Sequence, residues 1–295
     1  MSQQSVSDPP HERMPDVSPT ARPRTVVAES LRNYIRAHPV AAIETTGNQV
    51  VLGVRTLKYL VFDLITGRFP WKEFVRQGAF MSGSAVLPTL LVALPIGVTL
   101  SIQFALLAGQ VGATSMAGAA SGLAIVRQGA TLVAAVMMAS AVGSAITSDL
   151  GSRTMREEVD AMEVMGVSAV RRLVVPRAAA AMFVAVGLTG VTCFVGFFAS
   201  YLFNVYVQHG TPGSFVSTFS AFATVGDLVL ALFKATLFGL IVAIVSCDKG
   251  LRTKGGPAGV ANSVNAAVVE SILVLMLLNV VISQVYVLMV PQHGL

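Results

Sequence analysis

Charged residues are scarce in this sequence, and cysteine and histidine are scarcer still. Asp, Glu, Lys and Arg make up 12% of the 295 residues, against about 25% in a typical soluble domain. Hydrophobic residues make up 54%, and the mean hydropathy is +0.72. The two cysteines and four histidines show neither a disulfide framework nor a metal-ligand spacing. So little charge excludes a protein that faces water on all sides.

Sequence motifs of common enzymes are absent as well. No G-x-x-x-x-G-K-[ST] phosphate loop occurs, and in residues 253–259, TKGGPAG, the lysine precedes the glycines. No G-x-S-x-G nucleophile elbow occurs either. The sequence therefore predicts no catalytic residue, no metal site and no cofactor in this chain.

Long apolar runs dominate what is present. Residues 80–126, 128–148, 178–226 and 271–295 contain no Asp, Glu, Lys or Arg. A spanning helix needs about 20 predominantly apolar residues, and continuous runs favour helices over the alternating strands of a barrel. The sequence predicts an all-α integral membrane protein. Its five spanning helices are expected at residues 83–109, 122–147, 177–206, 225–247 and 262–290.

The N-terminal part has no run of membrane length. Residues 1–26 contain five prolines and mixed charges, which predict a disordered cytoplasmic tail. Residues 27–78 are expected to form an amphipathic interfacial helix and a connector, with a soluble helix packed on the same chain as the alternative. Residues 79–295 would then form the five-helix domain. The apolar residues of the amphipathic helix recur at Val50, Val54, Leu57, Val61 and Leu64.

Basic residues are distributed unevenly among the connections. The connections 148–177 and 248–261 contain eight of them. Residues 110–121, 207–224 and 291–295 contain no Lys or Arg. The positive-inside rule therefore places the N-terminus and both basic connections in the cytoplasm and the C-terminus on the outer side. The eight are Arg153, Arg156, Arg171, Arg172, Arg177, Lys249, Arg252 and Lys254.

The first basic connection contains the signals of a short helix. Thr154 and Glu157 have the T-x-x-E spacing of a capping box, and Gly166 is a suitable C-terminal stop. The sequence thus predicts an amphipathic helix over residues 154–166. Such a helix either rests its apolar side on the membrane or docks on a cytoplasmic partner, and the pattern alone leaves both open. Met155, Val159, Met162 and Met165 form the apolar side, and Glu157, Asp160 and Glu163 project elsewhere.

A few charged residues fall at membrane depth, where they are costly and mark function by default. Arg127 is expected about one turn into the second helix, where it could also snorkel to the interface. Lys234 and Glu270 lie at similar depths in the fourth and fifth helices, so an ion pair between them is possible. Alternatively, Arg127 and Lys234 line a lipid cavity and bind an anionic headgroup.

Two stretches resemble a known family. Residues 148–177, SDLGSRTMREEVDAMEVMGVSAVRRLVVPR, are similar to the signature of the MlaE/YrbE permeases, the membrane subunits of ABC-type lipid transporters that work with MCE proteins. Residues 227–260, DLVLALFKATLFGLIVAIVSCDKGLRTKGGPAGV, resemble the fourth helix of that family and its following loop. The likeness covers most of residues 70–290. It is greatest to the A-type YrbE permeases of actinobacterial, including mycobacterial, Mce complexes.

The resemblance implies a role for each candidate residue. Residues 154–166 would be a coupling helix seated on a separate cytoplasmic ABC ATPase, which would bind ATP and Mg. Many members have Glu where Asp149 and Gln128 stand here, so position 128 loses a charge. The contact residues for the ATPase would be Arg153, Thr154, Met155, Arg156, Glu157, Glu158, Asp160, Met162, Glu163 and Met165. The lipid pocket would include Arg127, Gln128, Asp227 and Lys234.

The resemblance also implies partners and a location. The protein would lie in the plasma membrane and would form a heterodimer with a second permease of the B type. Its other partners would be MCE-domain proteins on the outer side and membrane lipids, but not nucleic acid. The cargo would be lipids, fatty acids or sterols, with import as the expected direction. The alternative is a secondary transporter, although the internal repeats expected of one are not evident. A membrane-embedded enzyme is less favoured because no nucleophile or metal site is evident.

Overall fold

A computed structural model describes residues 46–67, 69–110, 112, 117–207 and 211–289. The predicted tail 1–26 and the first part of the segment 27–78 lie outside these ranges. Every regular element in the described ranges is a helix, in agreement with the all-α prediction.

The chain forms eight helices within the described ranges, and two of them, α3 and α5, contain π-helical turns. Helix α1 covers residues 46–65, α2 Trp71–Gln110, α3 residues 117–155 and α4 Glu158–Val164. Helix α5 covers Val170–Tyr206, α6 Pro212–Phe222, α7 Val225–Leu251 and α8 Gly256–Met289.

Among the described residues, five helices are long and apolar enough to cross a membrane, which confirms the predicted number of spans: α2, α3, α5, α7 and α8. They extend beyond the predicted limits. Helix α2 begins at Trp71, not at residue 83, so residues 71–78 belong to a spanning helix and not to a connector. Lys72, Glu73 and Arg76 do not interrupt the helix, because charges at the end of a long helix can stay in water or among headgroups.

Small residues allow the central helices to approach closely. A Cβ added at Gly97 of α2 would lie 2.7 Å from the carbonyl oxygen of Gly196 in α5, and one at Gly239 of α7 would lie 2.6 Å from that of Ala181. Van der Waals packing of this kind holds helices together in a membrane, where lipid tails are as apolar as the side chains. Helices α3, α5 and α7 therefore form the core, and most of the surface of α2 and α8 is exposed.

Three π-helical turns interrupt the regular hydrogen bonding of the spanning helices. They cover Ile125–Gly129 and Met138–Val142 in α3, and Val170–Val174 at the start of α5. Such turns are rare and often occur at functional sites. The first of them contains Arg127 and Gln128, two of the candidate pocket residues.

Candidate functional site

A group of polar side chains joins α3, α7 and α8 inside the membrane-spanning region. We call it the polar cluster. It contains the four predicted pocket residues and two residues of α8 that were not predicted. Asn279 and Ser283 are four residues apart and are the first polar residues after the apolar run 272–278 of α8, and that spacing, which places both on one helix face, is a signal that could have identified them. The members are Arg127, Gln128, Asp227, Lys234, Asn279 and Ser283.

Arg127 and Asp227 form an ion pair between α3 and the start of α7. Arg127 Nε donates to Asp227 Oδ1 at 2.8 Å, and its Nη2 donates to Oδ2 at 3.2 Å. Two parallel bonds of this kind fix the mutual orientation of the groups. The Asp227 side chain is 0% exposed and that of Arg127 is 30% exposed. The carboxylate is thus the buried member of the pair.

Asp227 also caps the start of α7. Thr224 and Asp227 form a reciprocal capping box, in which the Asp227 N–H donates to Thr224 Oγ1 and the Thr224 N–H donates to Asp227 Oδ2. The box satisfies two N–H groups that the helix start leaves free. One carboxylate therefore both begins α7 and holds Arg127.

Lys234 lies at the centre of the cluster and is 1% exposed. Its Nζ donates to Asn279 Oδ1 at 3.2 Å and to Ser283 Oγ at 2.7 Å. Gln128 closes the network, since its Nε2 donates to Ser283 Oγ at 3.1 Å and its Oε1 accepts from Asn279 Nδ2 at 3.3 Å. The buried ammonium group thus contacts two neutral oxygens and no carboxylate among the described residues.

No carboxylate among the described residues forms an ion pair with Lys234, so the possible pair with Glu270 is not formed. Glu270 instead binds Lys249 Nζ at 2.7 Å and accepts from Gln49 Nε2 at 2.6 Å. Similar depth did not bring the two groups together, because depth along a helix does not fix the direction in which a side chain points.

The cluster reaches the protein surface through Gln128. Gln128 is exposed and Ser283 is half-buried, whereas Lys234 and Asn279 lie behind them. Lys234 is nine residues after Val225, about 14 Å along α7, which is close to the middle of a bilayer core of about 30 Å. An ammonium group there, with one N–H lacking an acceptor among the described residues, is suited to bind an anionic group that displaces Gln128.

The predicted capping box at the other end of α3 is wrong. Thr154 is still inside α3, which ends at Met155, and its hydroxyl donates to the carbonyl oxygens of Leu150 and of Gly250 in α7. Glu157 precedes α4 in the left-handed conformation, with φ 57°, and its side chain makes no capping bond. The short helix thus covers Glu158–Val164 and not 154–166. The contact with Gly250, which local sequence cannot show, keeps Thr154 in α3.

The C-terminal stop of α4 is confirmed. Gly166 has φ 76°, its N–H donates to the carbonyl oxygen of Glu163 at 2.9 Å, and the N–H of Val167 donates to that of Met162 at 3.0 Å. This pair of bonds is the Schellman motif. It sets the direction in which the chain leaves α4 toward α5.

The predicted apolar side of the short helix is divided between core and solvent. Val159 is buried and Met162 packs against the core, whereas Met165 is 70% exposed and Val164 is 89% exposed. The exposed surface around α4 thus combines apolar and acidic residues. It consists of Met155, Arg156, Glu157, Asp160, Glu163, Val164 and Met165.

Ion pairs connect this surface to the helices behind it. Arg153 binds Asp149 at 3.2 Å and Glu158 at 3.7 Å, and Arg156 binds Glu158 at 3.3 Å. Asp149 also accepts from Arg177 of α5, which is almost fully buried. Movement of α4 would therefore be transmitted to both α3 and α5. In the described ranges, no group of three or more His, Cys, Asp or Glu side chains is placed to hold a metal ion.

Comparison with known proteins agrees with this architecture. Residues 74–285 match the family described as Permease MlaE. A probable ABC transporter permease protein of Synechocystis is 30% identical over 220 residues, 75% of this chain and 84% of that protein. A probable ABC transporter permease protein of Rickettsia bellii is 27% identical over 164 residues, 56% of this chain and 63% of that protein.

A plant relative is similar over a comparable length. The Arabidopsis thaliana protein TRIGALACTOSYLDIACYLGLYCEROL 1, chloroplastic, is 26% identical over 227 residues, 77% of this chain and 65% of that protein. The match therefore covers just under two thirds of the plant and Rickettsia proteins and most of the cyanobacterial one. The chain belongs to the MlaE permease family, and it is an integral membrane permease subunit of an ABC transporter.

Proposed function

We propose that this permease moves lipids across the cell envelope, with import as the direction, and that its polar cluster binds the anionic headgroup of the cargo. The observation that carries this proposal is the burial of Lys234 among neutral oxygens. An unpaired charge at mid-bilayer costs at least about 2.5–3.5 kcal/mol. A protein that keeps such a charge gains from it if the missing counter-charge arrives with a ligand.

The neutral side chain at position 128 is part of this argument. Gln128 contacts Asn279 and Ser283, both of which accept from Lys234. A carboxylate at this position would supply the counter-charge from within the protein. With glutamine at this position, the counter-charge must come from the ligand. Gln128 is exposed, so it lies where a ligand would enter the polar cluster. Arg127 is already neutralised by Asp227, so Lys234 is the principal recognition group.

The power for transport comes, in this proposal, from ATP and Mg bound by a separate ATPase chain that docks on the exposed surface around α4. Apolar residues there would fill adaptable pockets, and Glu157, Asp160 and Glu163 would set orientation. The ion pairs of Arg153 and Glu158 connect this surface to α3, which contains Arg127 and Gln128 at its other end.

The finer assignment rests on sequence likeness. The stretch 148–177 supports an A-type YrbE permease of an actinobacterial Mce complex, with a B-type permease and MCE-domain proteins as partners. The plant relative shares its name with a galactolipid, which supports a lipid cargo. The two basic connections support a plasma-membrane orientation with the N-terminus in the cytoplasm and the C-terminus outside.

Replacement of Lys234 tests the proposal. We expect Lys234→Met to leave the complex assembled and to lower uptake of a fluorescent anionic lipid at least about tenfold, the equivalent of one charge-assisted hydrogen bond. Gln128→Glu should lower uptake as well, since it supplies an internal counter-charge. Lys254→Met, at an exposed lysine outside the cluster, is the matched control.

Two outcomes would contradict the proposal. Normal uptake by a fully assembled Lys234→Met complex would exclude the lysine as the recognition group. Undiminished uptake after inactivation of the co-purifying ATPase would exclude ATP-driven transport and favour a secondary transporter. Purification from the native membrane with mass spectrometry of all bound chains and lipids provides the complex for both measurements.

A further inference from the structure

A cavity lies at the end of the spanning helices opposite to the polar cluster, on the face that carries the basic connections. It has a volume of about 440 Å³ and lies between the end of α1, the approach to α2 and the joint between α4 and α5. It shares no residue with the polar cluster. The residues that matter for its chemistry are Asp63, Pro70, Gly166, Ser168, Arg171 and Arg172.

The charges that line this cavity favour an anion. Arg171 binds Asp63 through its Nε, at 3.1 Å, and through its Nη2, so the buried Asp63 carboxylate is neutralised. Arg172 is exposed, and its guanidinium has no ion-pair or hydrogen-bond partner among the residues that the structure describes. Asp63, Arg171 and Arg172 therefore give the lining of the cavity a net charge of +1.

The topology fixes the depth of the cavity. Pro70 directly precedes α2 and Ser168 precedes α5, and both helices enter the membrane from here. Trp71 packs edge-on against Phe69 with ring centroids 5.1 Å apart and is itself 61% exposed. Tryptophan is typical of the headgroup level. The cavity therefore lies where the phosphates of the adjoining leaflet are found.

We propose that this cavity binds the phosphate of an anionic glycerophospholipid from that leaflet, with Arg172 as its principal donor and the free N–H groups of Arg171 as its second. Planar guanidinium groups bind phosphate oxygens in pairs. The bound lipid would brace the segment Gly166–Ser168, which connects α4 to α5. The inference goes beyond transport, because this lipid is a fixed component of the protein and not cargo.

Lipid retention measures the binding. The full-length protein is reconstituted in nanodiscs of equimolar phosphatidylcholine and phosphatidylglycerol, released in the mass spectrometer, and its bound lipids are counted. We expect the unmodified protein to retain phosphatidylglycerol selectively and Arg172→Gln to weaken retention about tenfold, as expected for one charge-assisted contact. Arg172→Lys should keep part of the affinity, because lysine retains the charge without the paired geometry.

Arg55→Gln is the matched control, since Arg55 is an exposed arginine of α1 outside the cavity. It removes the same charge from the same face. Equal losses in the Arg55 and Arg172 variants would overturn the proposal and leave only a general attraction to anionic membranes. Inorganic phosphate is titrated into the detergent-solubilised protein in parallel. Tight phosphate binding that depends on Arg172, without retained phosphatidylglycerol, would overturn the phospholipid assignment in favour of a free anion.

Discussion

Replacing Arg127 with leucine should destabilise the folded protein more than replacing Asp227 with asparagine, although both changes break the same ion pair. The reason is the unequal burial of the partners. Arg127→Leu leaves a carboxylate that is 0% exposed and retains only the bonds from Thr224. Loss of one partner from a buried pair costs about 3–5 kcal/mol.

Asp227→Asn leaves Arg127 without its carboxylate partner. The asparagine oxygen can still accept from the Thr224 N–H, and the backbone N–H of residue 227 can still donate to Thr224 Oγ1, so the capping box is preserved. The Arg127 side chain is 30% exposed and can turn its head toward the lipid headgroups. We therefore expect a loss of about 1–2 kcal/mol. In the Asp227→Asn background, Arg127→Leu should cost only about 1 kcal/mol, because no buried carboxylate is left.

Reversible unfolding in mixed micelles with increasing denaturing detergent measures these free energies. The fluorescence of Trp71, the one tryptophan in the sequence, and circular dichroism of the helices report the transition. Arg76→Leu breaks the exposed pair with Glu73 and is the control, with an expected loss below about 1 kcal/mol. Equal losses for Arg127→Leu and Asp227→Asn, or strictly additive losses in the double variant, would refute the reasoning.

Three further substitutions test local geometry by the same unfolding measurement. Glu157→Gly should stabilise by about 0.5–1 kcal/mol, because glycine relieves the left-handed backbone that costs other residues about 1–2 kcal/mol; Glu157→Ala should give no such gain. Gly239→Ala should cost about 1–3 kcal/mol, since its Cβ would meet the backbone of Ala181, whereas Gly187→Ala in open space should be neutral or stabilising. Gly166→Ala should cost about 1–2 kcal/mol, because Gly166 also has positive φ.

The number and order of the spans followed from the sequence because the membrane imposes a simple rule. Segments that satisfy their own backbone and expose apolar side chains are visible as long uncharged runs. The start of α2 was less visible, because the prediction followed the uncharged run, and Lys72 and Glu73 lie before that run. A charge signals the edge of the membrane and not the end of a helix.

The contacts within the candidate site were harder to predict. Arg127 and Lys234 stood out as isolated charges, but their partners depend on the rotation of each helix about its axis. Asn279 and Ser283 are far from Lys234 in sequence and meet it only because α7 and α8 pack together. Thr154 is a case in which a tertiary contact made a local prediction wrong. Its local pattern matches a capping box, and a contact with α7 overrides it.

The length of α3 has a mechanical consequence. Gln128 and Arg153 are 25 residues apart on one helix, which corresponds to about 37 Å. If α3 tilts as a lever by about 5°, one end moves by about 3 Å relative to the other at this length. That displacement is comparable to the lengths of the two hydrogen bonds that Lys234 donates. A small rotation at the end bearing Arg153 would therefore suffice to break or remake the contacts of Gln128, without unwinding any helix.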